Sequence, residues 1–366
     1  MAESTGALPI AALLDAVENR KRMLLDYLMQ ERFVERFRPP HIRDAVYSYV
    51  TRGGKSLRPA MAMLACGALG GDEARALPVA AAIEVYHTWT LVHDDVIDRD
   101  STRRGQPTVH HEFARRAAAE FGWEAADAEH YGRAVALLTG DVQQAWSWSL
   151  LFEARERGVA ADVVMRLAQE LASQVTPLLV EGEALDVQYS GRARQLSEGA
   201  VLDMLWKKTG ALYEFAGRAG AYVALDEAAP DAPEVHALAR FGSLCGAAFQ
   251  IQDDILGIVG DASQLGKPVG SDIREGKSTL LTLKALERAD ERQRRLIMRS
   301  LGDGATSAED IAAVSTLMRD LGVIDYARER SRQYVKKALG QLALLPDNEY
   351  RRLLALWATY LIEREF

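Results

Sequence analysis

Apolar residues recur along most of the chain at intervals of three and four, and no stretch keeps the two-residue alternation of a strand for long. Ala and Leu, both strong helix formers, fill many of these stretches. Between Leu77 and Asp98 the repeat carries Ile83, Tyr86, Thr90 and Val92. The same periodicity predicts helices over roughly 8–37, 131–157, 160–190, 197–225 and 232–259. Pro177 falls inside one of them and is expected to kink or break it. Loops are expected at Gly53-Gly54, Gly70-Gly71-Asp72, the acidic Glu124–Glu129 stretch, Asp226–Pro233 and Gly260–Gly276. Pro59 is expected to open a helix, because its fixed φ suits the first helical position. No repeat of fixed period is present, and no loop is long or biased enough to be a domain linker. The prediction is a single all-α domain over residues 1–366, with ten or more helices around a shared core.

Composition narrows the class. Apolar residues make up 48% and charged residues 26%, which suits a globular protein and excludes a disordered chain. The net charge of −8 argues against nucleic acid as the principal partner, while leaving room for a local basic pocket. Cys66 and Cys245 cannot form a disulfide scaffold or a four-thiolate zinc site; as small buried hydrophobes they fit a reducing cytoplasm. No apolar run is long enough for a transmembrane helix. The first residues include Glu3 and no early basic cluster, unlike a signal peptide.

Two acidic clusters stand out. Asp94 and Asp98 share one face of a helix at i,i+4, with Asp95 beside them and His87 two turns earlier on nearly the same face. Paired carboxylates at this spacing repel unless a cation lies between them, and magnesium prefers such hard oxygen ligands. Gln250, Asp253 and Asp254 form the second cluster, within the otherwise apolar run Phe249–Gly257. An isolated Asp pair on a helix is usually just solvated. Two pairs embedded in apolar helices weaken that reading, because buried charges need partners or metals.

Basic residues match the acids. Lys55 and Arg58 lie in Gly53-Gly-Lys-Ser-Leu-Arg-Pro59, Arg103 and Arg104 follow the first cluster, Lys207 and Lys208 lie on a helix, and Lys267 and Lys277 follow the second cluster. Each alone reads as a surface charge. Together they suit a heavily charged ligand such as a diphosphate. A nucleotide loop is excluded by spacing, since neither Gly-Lys-Ser has a glycine at the required distance or a βαβ context.

In this order the motifs closely resemble those of the trans-prenyl diphosphate synthases. The matching residues are Gly53–Pro59, His87, Asp94-Asp-Val-Ile-Asp98, Arg103-Arg104-Gly105, Lys208-Thr209, Gln250, Asp253-Asp254, Leu265-Gly-Lys267 and Gly276-Lys277, within residues 50–280. The resemblance implies an isoprenoid synthase fold with helices around a central cavity, and often a homodimer. It implies that Asp94 and Asp98 hold two magnesium ions and Asp253 a third, with Asp95 and Asp254 completing the motifs. It assigns Arg103, Lys208, Thr209, Gln250 and Lys267 to the allylic diphosphate, with Lys277 adding charge nearby. Lys55, Arg58, His87 and Arg104 are assigned to isopentenyl diphosphate.

The second motif departs from the family's usual Asp-Asp-x-x-Asp, because its last place is Gly257. The growing chain would run past Thr90, with Trp89 and Tyr86 as the floor, which favours geranylgeranyl diphosphate over farnesyl or longer products. Trp146 and Trp148 are further aromatic candidates without an assigned place. The competing readings are a class I terpene cyclase, which needs no isopentenyl subsite, and a non-catalytic helical partner of an active synthase, which would be expected to lose aspartates or arginines.

Overall fold

A computed structural model describes residues 9–260, 270–303 and 305–363. The described chain is all-α apart from one minimal hairpin. In chain order the helices of eight residues or more are α1 (Ile10–Leu28), α2 (Pro40–Thr51), α3 (Leu57–Ala68) and α4 (Glu73–Ile97). The hairpin strands β1 (Thr102–Arg103) and β2 (Gln106–Pro107) come next, then α5 (Val109–Phe121), α6 (Ala125–Glu153), α7 (Ala161–Glu170) and α8 (Thr176–Tyr189). The rest are α9 (Glu198–Leu205), α10 (Ala211–Leu225), α11 (Pro233–Val259), α12 (Leu280–Arg288), α13 (Glu291–Ser300), α14 (Ala308–Asp320), α15 (Val323–Gln341) and α16 (Glu349–Glu363). Among the described residues no helix is long and apolar enough to cross a membrane.

These residues fall into two compact units. The first comprises 9–171, 215–239 and 343–357; the second comprises 172–214, 240–342 and 358–363. In the first, α4 packs against α3 and α6, and α6 against α5. From Ala76 to Tyr86 every residue of α4 is buried, and all but Glu84 are apolar, so this stretch is enclosed on every side rather than striped. Asp72 caps its start by accepting from the Ala74 N–H at 2.9 Å. Arg99, left-handed at φ 60°, ends it just beyond Asp98. In the second unit, the buried core draws on Met204, Ile251, Ile255, Leu280, Leu283, Val314 and Met318.

Local departures from the expected helix limits have physical causes. Helix α3 opens at Leu57, not Pro59, because Ser56 takes a left-handed turn at φ 43° and starts the helix two residues early. The Glu124–Glu129 stretch is not a loop: Glu124 precedes α6, and Asp127 lies in the first turn, where a negative charge suits the helix dipole. Pro177 does not break its helix. A single π-turn at Leu171–Val175 immediately before it absorbs the missing N–H. The hairpin and α5 lay outside the sequence-based elements. Its two-residue loop, Arg104-Gly105, has positive φ at both positions (54° and 72°), which matches the twist of paired strands.

Candidate active site

The first unit brings most of the expected residues together around the end of α4. The ligand-capable oxygens of Asp94 and Asp98 lie within 4.8 Å of one another. Both acids sit in or just beyond the last turn of α4, where the helix dipole already concentrates negative charge. Such a pair is stable only if cations face it. Arg103 provides one, with Nη2 3.1 Å from Asp94 Oδ2. A hard, oxygen-only donor pair crowded at a negative helix end fits magnesium.

Asp95 has a different environment. It is fully buried, accepts from Arg103 Nε at 2.6 Å and accepts a second hydrogen bond from the Tyr49 hydroxyl. Tyr49 in turn accepts the Val109 N–H at 3.2 Å. Burial lifts the Asp95 carboxyl despite Arg103. Burial alone would depress the Arg103 guanidinium, but Asp95 and Asp94 outweigh it and hold the charge firmly. Asp95 therefore anchors the arginine that faces Asp94.

The Gly53–Ser56 loop carries the cationic half. Arg58 Nη1 lies 3.1 Å from His87 Nε2. A guanidinium can only donate, so Nε2 is the acceptor and the ring proton is assigned to Nδ1. Burial, then Arg58 and Arg104, depress the His87 imidazole well below its ordinary range, so it is neutral. Arg104 lies against the loop backbone: a Cβ on Gly54 would come within 2.7 Å of its guanidinium. Lys55 is exposed. Beneath them, Ser56 Oγ donates to buried Glu84 at 3.1 Å. Burial raises the Glu84 carboxyl, opposed by Ser56, Arg104 and Arg58. Glu84 was missed in the sequence, although it lies one helical turn before His87.

The chain-length candidates follow on α4. Tyr86 and Trp89 are buried and meet edge to face at 4.8 Å between ring centroids. Thr90 Oγ1 donates back to the His87 carbonyl at 2.7 Å. Trp146 packs elsewhere, with ring centroids 5.1 Å from Phe37, 5.4 Å from Tyr47 and 5.8 Å from Phe33.

The second unit gathers the remaining groups. A π-turn at Trp206–Gly210 carries Lys208 and Thr209, and such turns often mark functional positions. Lys208 Nζ reaches Asp186 at 2.7 Å and Glu183 at 2.8 Å, two acids the motif reading did not single out. Lys277 Nζ reaches Glu275 at 3.2 Å and Asp186 at 3.8 Å. Thr209 Oγ1 donates to Gln250 Oε1 at 2.9 Å, and Gln250 Nε2 donates to Asp254 Oδ1 at 3.0 Å. Asp253 is half-buried. Burial, then Asp272, push the Asp254 carboxyl well above the usual carboxylate range. This crowding of carboxyl groups also fits a divalent cation.

Asp272 bears on the missing acid at 257. Its Oδ2 lies 3.4 Å from where a Cβ on Gly257 would stand, so a carboxylate already occupies the neighbourhood of that position. Lys267 lies outside the described residues.

The chain is similar over most of its length to proteins already known. The family model for polyprenyl synthetase matches residues 39–318. The geranylgeranyl diphosphate synthase of Sulfolobus acidocaldarius is 36% identical over 303 residues, 83% of this chain and 84% of that protein. The geranylfarnesyl diphosphate synthase of Aeropyrum pernix is 35% identical over 347 residues, 93% of this chain and 99% of that protein. Among solved structures, geranylgeranyl pyrophosphate synthase from Corynebacterium glutamicum, complexed with isoprenyl diphosphate and magnesium, superposes with a TM-score of 0.82 at 30% identity, covering 98% of this chain and 100% of that one.

Proposed function

Because the chain belongs to the polyprenyl synthetase family, we propose that it condenses isopentenyl diphosphate with an allylic diphosphate and releases geranylgeranyl diphosphate. The observation that carries this reading lies within the first unit. A carboxylate pair suited to a metal (Asp94, Asp98) and a metal-free cationic group (Lys55, Arg58, Arg104) are built on the same few elements. A terpene cyclase needs only the former. A non-catalytic partner subunit has no use for either.

Magnesium held by Asp94, Asp98 and Asp253, three ions in all, would supply the positive charge that lets a diphosphate leave an allylic carbon. Arg103, Lys208, Thr209, Gln250, Lys267 and Lys277 bind and orient that diphosphate. Arg103 is aimed for the task by Asp95. Arg58 and Arg104, with Lys55, bind isopentenyl diphosphate, and neutral His87 aims Arg58 by accepting its hydrogen bond. As the allylic carbon–oxygen bond breaks, the double bond of isopentenyl diphosphate attacks the cation. The new cation then gives up a proton to the departed diphosphate, since the nearby carboxylates are committed to metal, arginine, lysine or, for Glu84, the Ser56 hydroxyl. Asp272 provides the carboxylate that Gly257 cannot. Trp89 and Tyr86 form the floor that stops elongation, with Thr90 leaving room above it.

The two units act as one synthase domain. Exposed Leu137 and Leu138 on α6 support a homodimer. Cys66 and Cys245, both free and buried, support a cytoplasmic protein; burial pushes the Cys66 thiol up to about 12.

Purified protein incubated with magnesium, isopentenyl diphosphate and each allylic primer in turn tests the function. The expected result is a magnesium-dependent geranylgeranyl product. A geranylfarnesyl product would favour the second reading suggested by the Aeropyrum pernix relative. Release of a cyclic hydrocarbon, or no turnover with any primer, would overturn the proposal.

A further inference from the structure

A floor that stops a growing hydrocarbon tail needs a fixed tilt as well as bulk. The indole N–H of Trp89 donates to Nδ1 of His93 at 3.2 Å, one helical turn further along α4. Since Nδ1 accepts, the proton of a neutral ring belongs on Nε2. Nε2 then donates to the Leu137 carbonyl of α6 at 3.2 Å. The imidazole is seated over Gly140, where a Cβ would fall 2.0 Å from Nε2. Trp89, the Leu137 carbonyl and the backbone at Gly140 thus hold His93 on three sides. Tyr86 braces the indole edge to face.

We propose that His93 is a positioning residue for product length: it ties the indole of Trp89 to α6 and so fixes the orientation of the floor. This rests on the reading of Trp89 as the floor. Without the bond, the indole samples other staggered rotamers and lets a prenyl tail extend past it. His93 touches no substrate in this role and acts only through the tryptophan.

The test is the product-length distribution, normalised to total product so that slow turnover does not enter. It compares wild type with Trp89→Ala, Trp89→Phe, His93→Ala, His93→Asn and the Trp89→Phe/His93→Ala double variant. His93→Ala is expected to raise the ratio of longer to normal product about fivefold, the equivalent of one ordinary hydrogen bond. His93→Asn, which keeps an acceptor near the Nδ1 position, restores part of the normal ratio. In the Trp89→Phe background, where the N–H is gone, His93→Ala adds nothing further. The ¹⁵N-labelled indole signal of Trp89, identified by its loss in Trp89→Phe, shifts in His93→Ala whatever the activity. If His93→Ala misfolds, Gly140→Ala displaces the imidazole from the α6 side and should lengthen products in the same way.

Two failures separate cleanly. If Trp89→Ala lengthens products and His93→Ala does not, the positioning role is wrong and the floor stands. Unchanged products in Trp89→Ala would remove the floor itself, and this inference with it. A full His93→Ala effect in the Trp89→Phe background would also overturn the proposal, because it could not have passed through the indole.

Discussion

Arg58 and His87 are joined by a hydrogen bond of 3.1 Å in which the imidazole is the acceptor. The histidine is neutral because burial, reinforced by Arg58 and Arg104, disfavours its charged form. In the proposed site it would aim the guanidinium rather than add a further positive charge. His87→Phe keeps a ring of similar breadth and removes the acceptor. We expect the KM for isopentenyl diphosphate to rise roughly tenfold or more, the worth of a hydrogen bond to a charged group, with a smaller change in kcat. His87→Gln, whose amide oxygen can accept, should recover part of the loss. An unchanged KM in His87→Phe would contradict the aiming role.

Asp94→Ala should lose roughly two to three orders of magnitude in turnover at saturating substrate, because it removes a charge-stabilising site at the moment of ionisation. A magnesium titration should show a raised requirement alongside the loss. Turnover near that of wild type would count against Asp94 as a ligand.

His110, at the start of α5, has its imidazole pushed down to about 4 by burial and by neighbouring His111. In the unfolded chain the same group titrates near ~6.5. Between these values the unfolded state holds the proton and the folded state does not. The contribution to stability is therefore present above ~6.5 and is lost as the pH falls toward 4. Melting temperatures of wild type and His110→Gln, measured at neutral pH and again near the lower value, should show wild type losing ground to the variant in acid. A gap that stays constant across the range would show that His110 is not the titrating group.

Gly182 on α8 lies against the backbone of the π-turn: a Cβ there would stand 2.3 Å from the Lys208 nitrogen. Backbone cannot step aside as a flexible side chain can. Gly182→Ala should cost about 1–3 kcal/mol of stability by overpacking and should raise the KM for the allylic diphosphate by displacing Lys208. Thermal unfolding and steady-state kinetics check the two effects separately.

The helical character of the chain was legible because its signals are local. Periodic apolar positions outlined α4, α6 and α11, and the i,i+4 spacing alone put Asp94 and Asp98 on one face. Features that depend on distant partners were not legible. Asp95 and Asp94 are adjacent in sequence, yet one is fully buried against Tyr49 and the other is only partly buried, beside Arg103. The hairpin carrying Arg103 and Arg104 is too short to show any alternation. Glu84 reads as an ordinary polar break in an apolar helix until the Ser56 turn closes over it. The place of Asp272 beside Gly257 depends on how the chain returns after the second motif, which no spacing within the motif reveals.

The widened turn at Trp206–Gly210 holds one residue more than an ordinary helix would over the same length. Side chains beyond it are therefore rotated by about 100°, the angle of one residue step. Deleting a single amino acid there would let the segment relax into regular geometry, at little cost to the backbone. Every later side chain of α10 would then keep the direction it has now, and only the backbone that carries Lys208 and Thr209 would be recast, so the extra residue matters to these two side chains rather than to the helix beyond them.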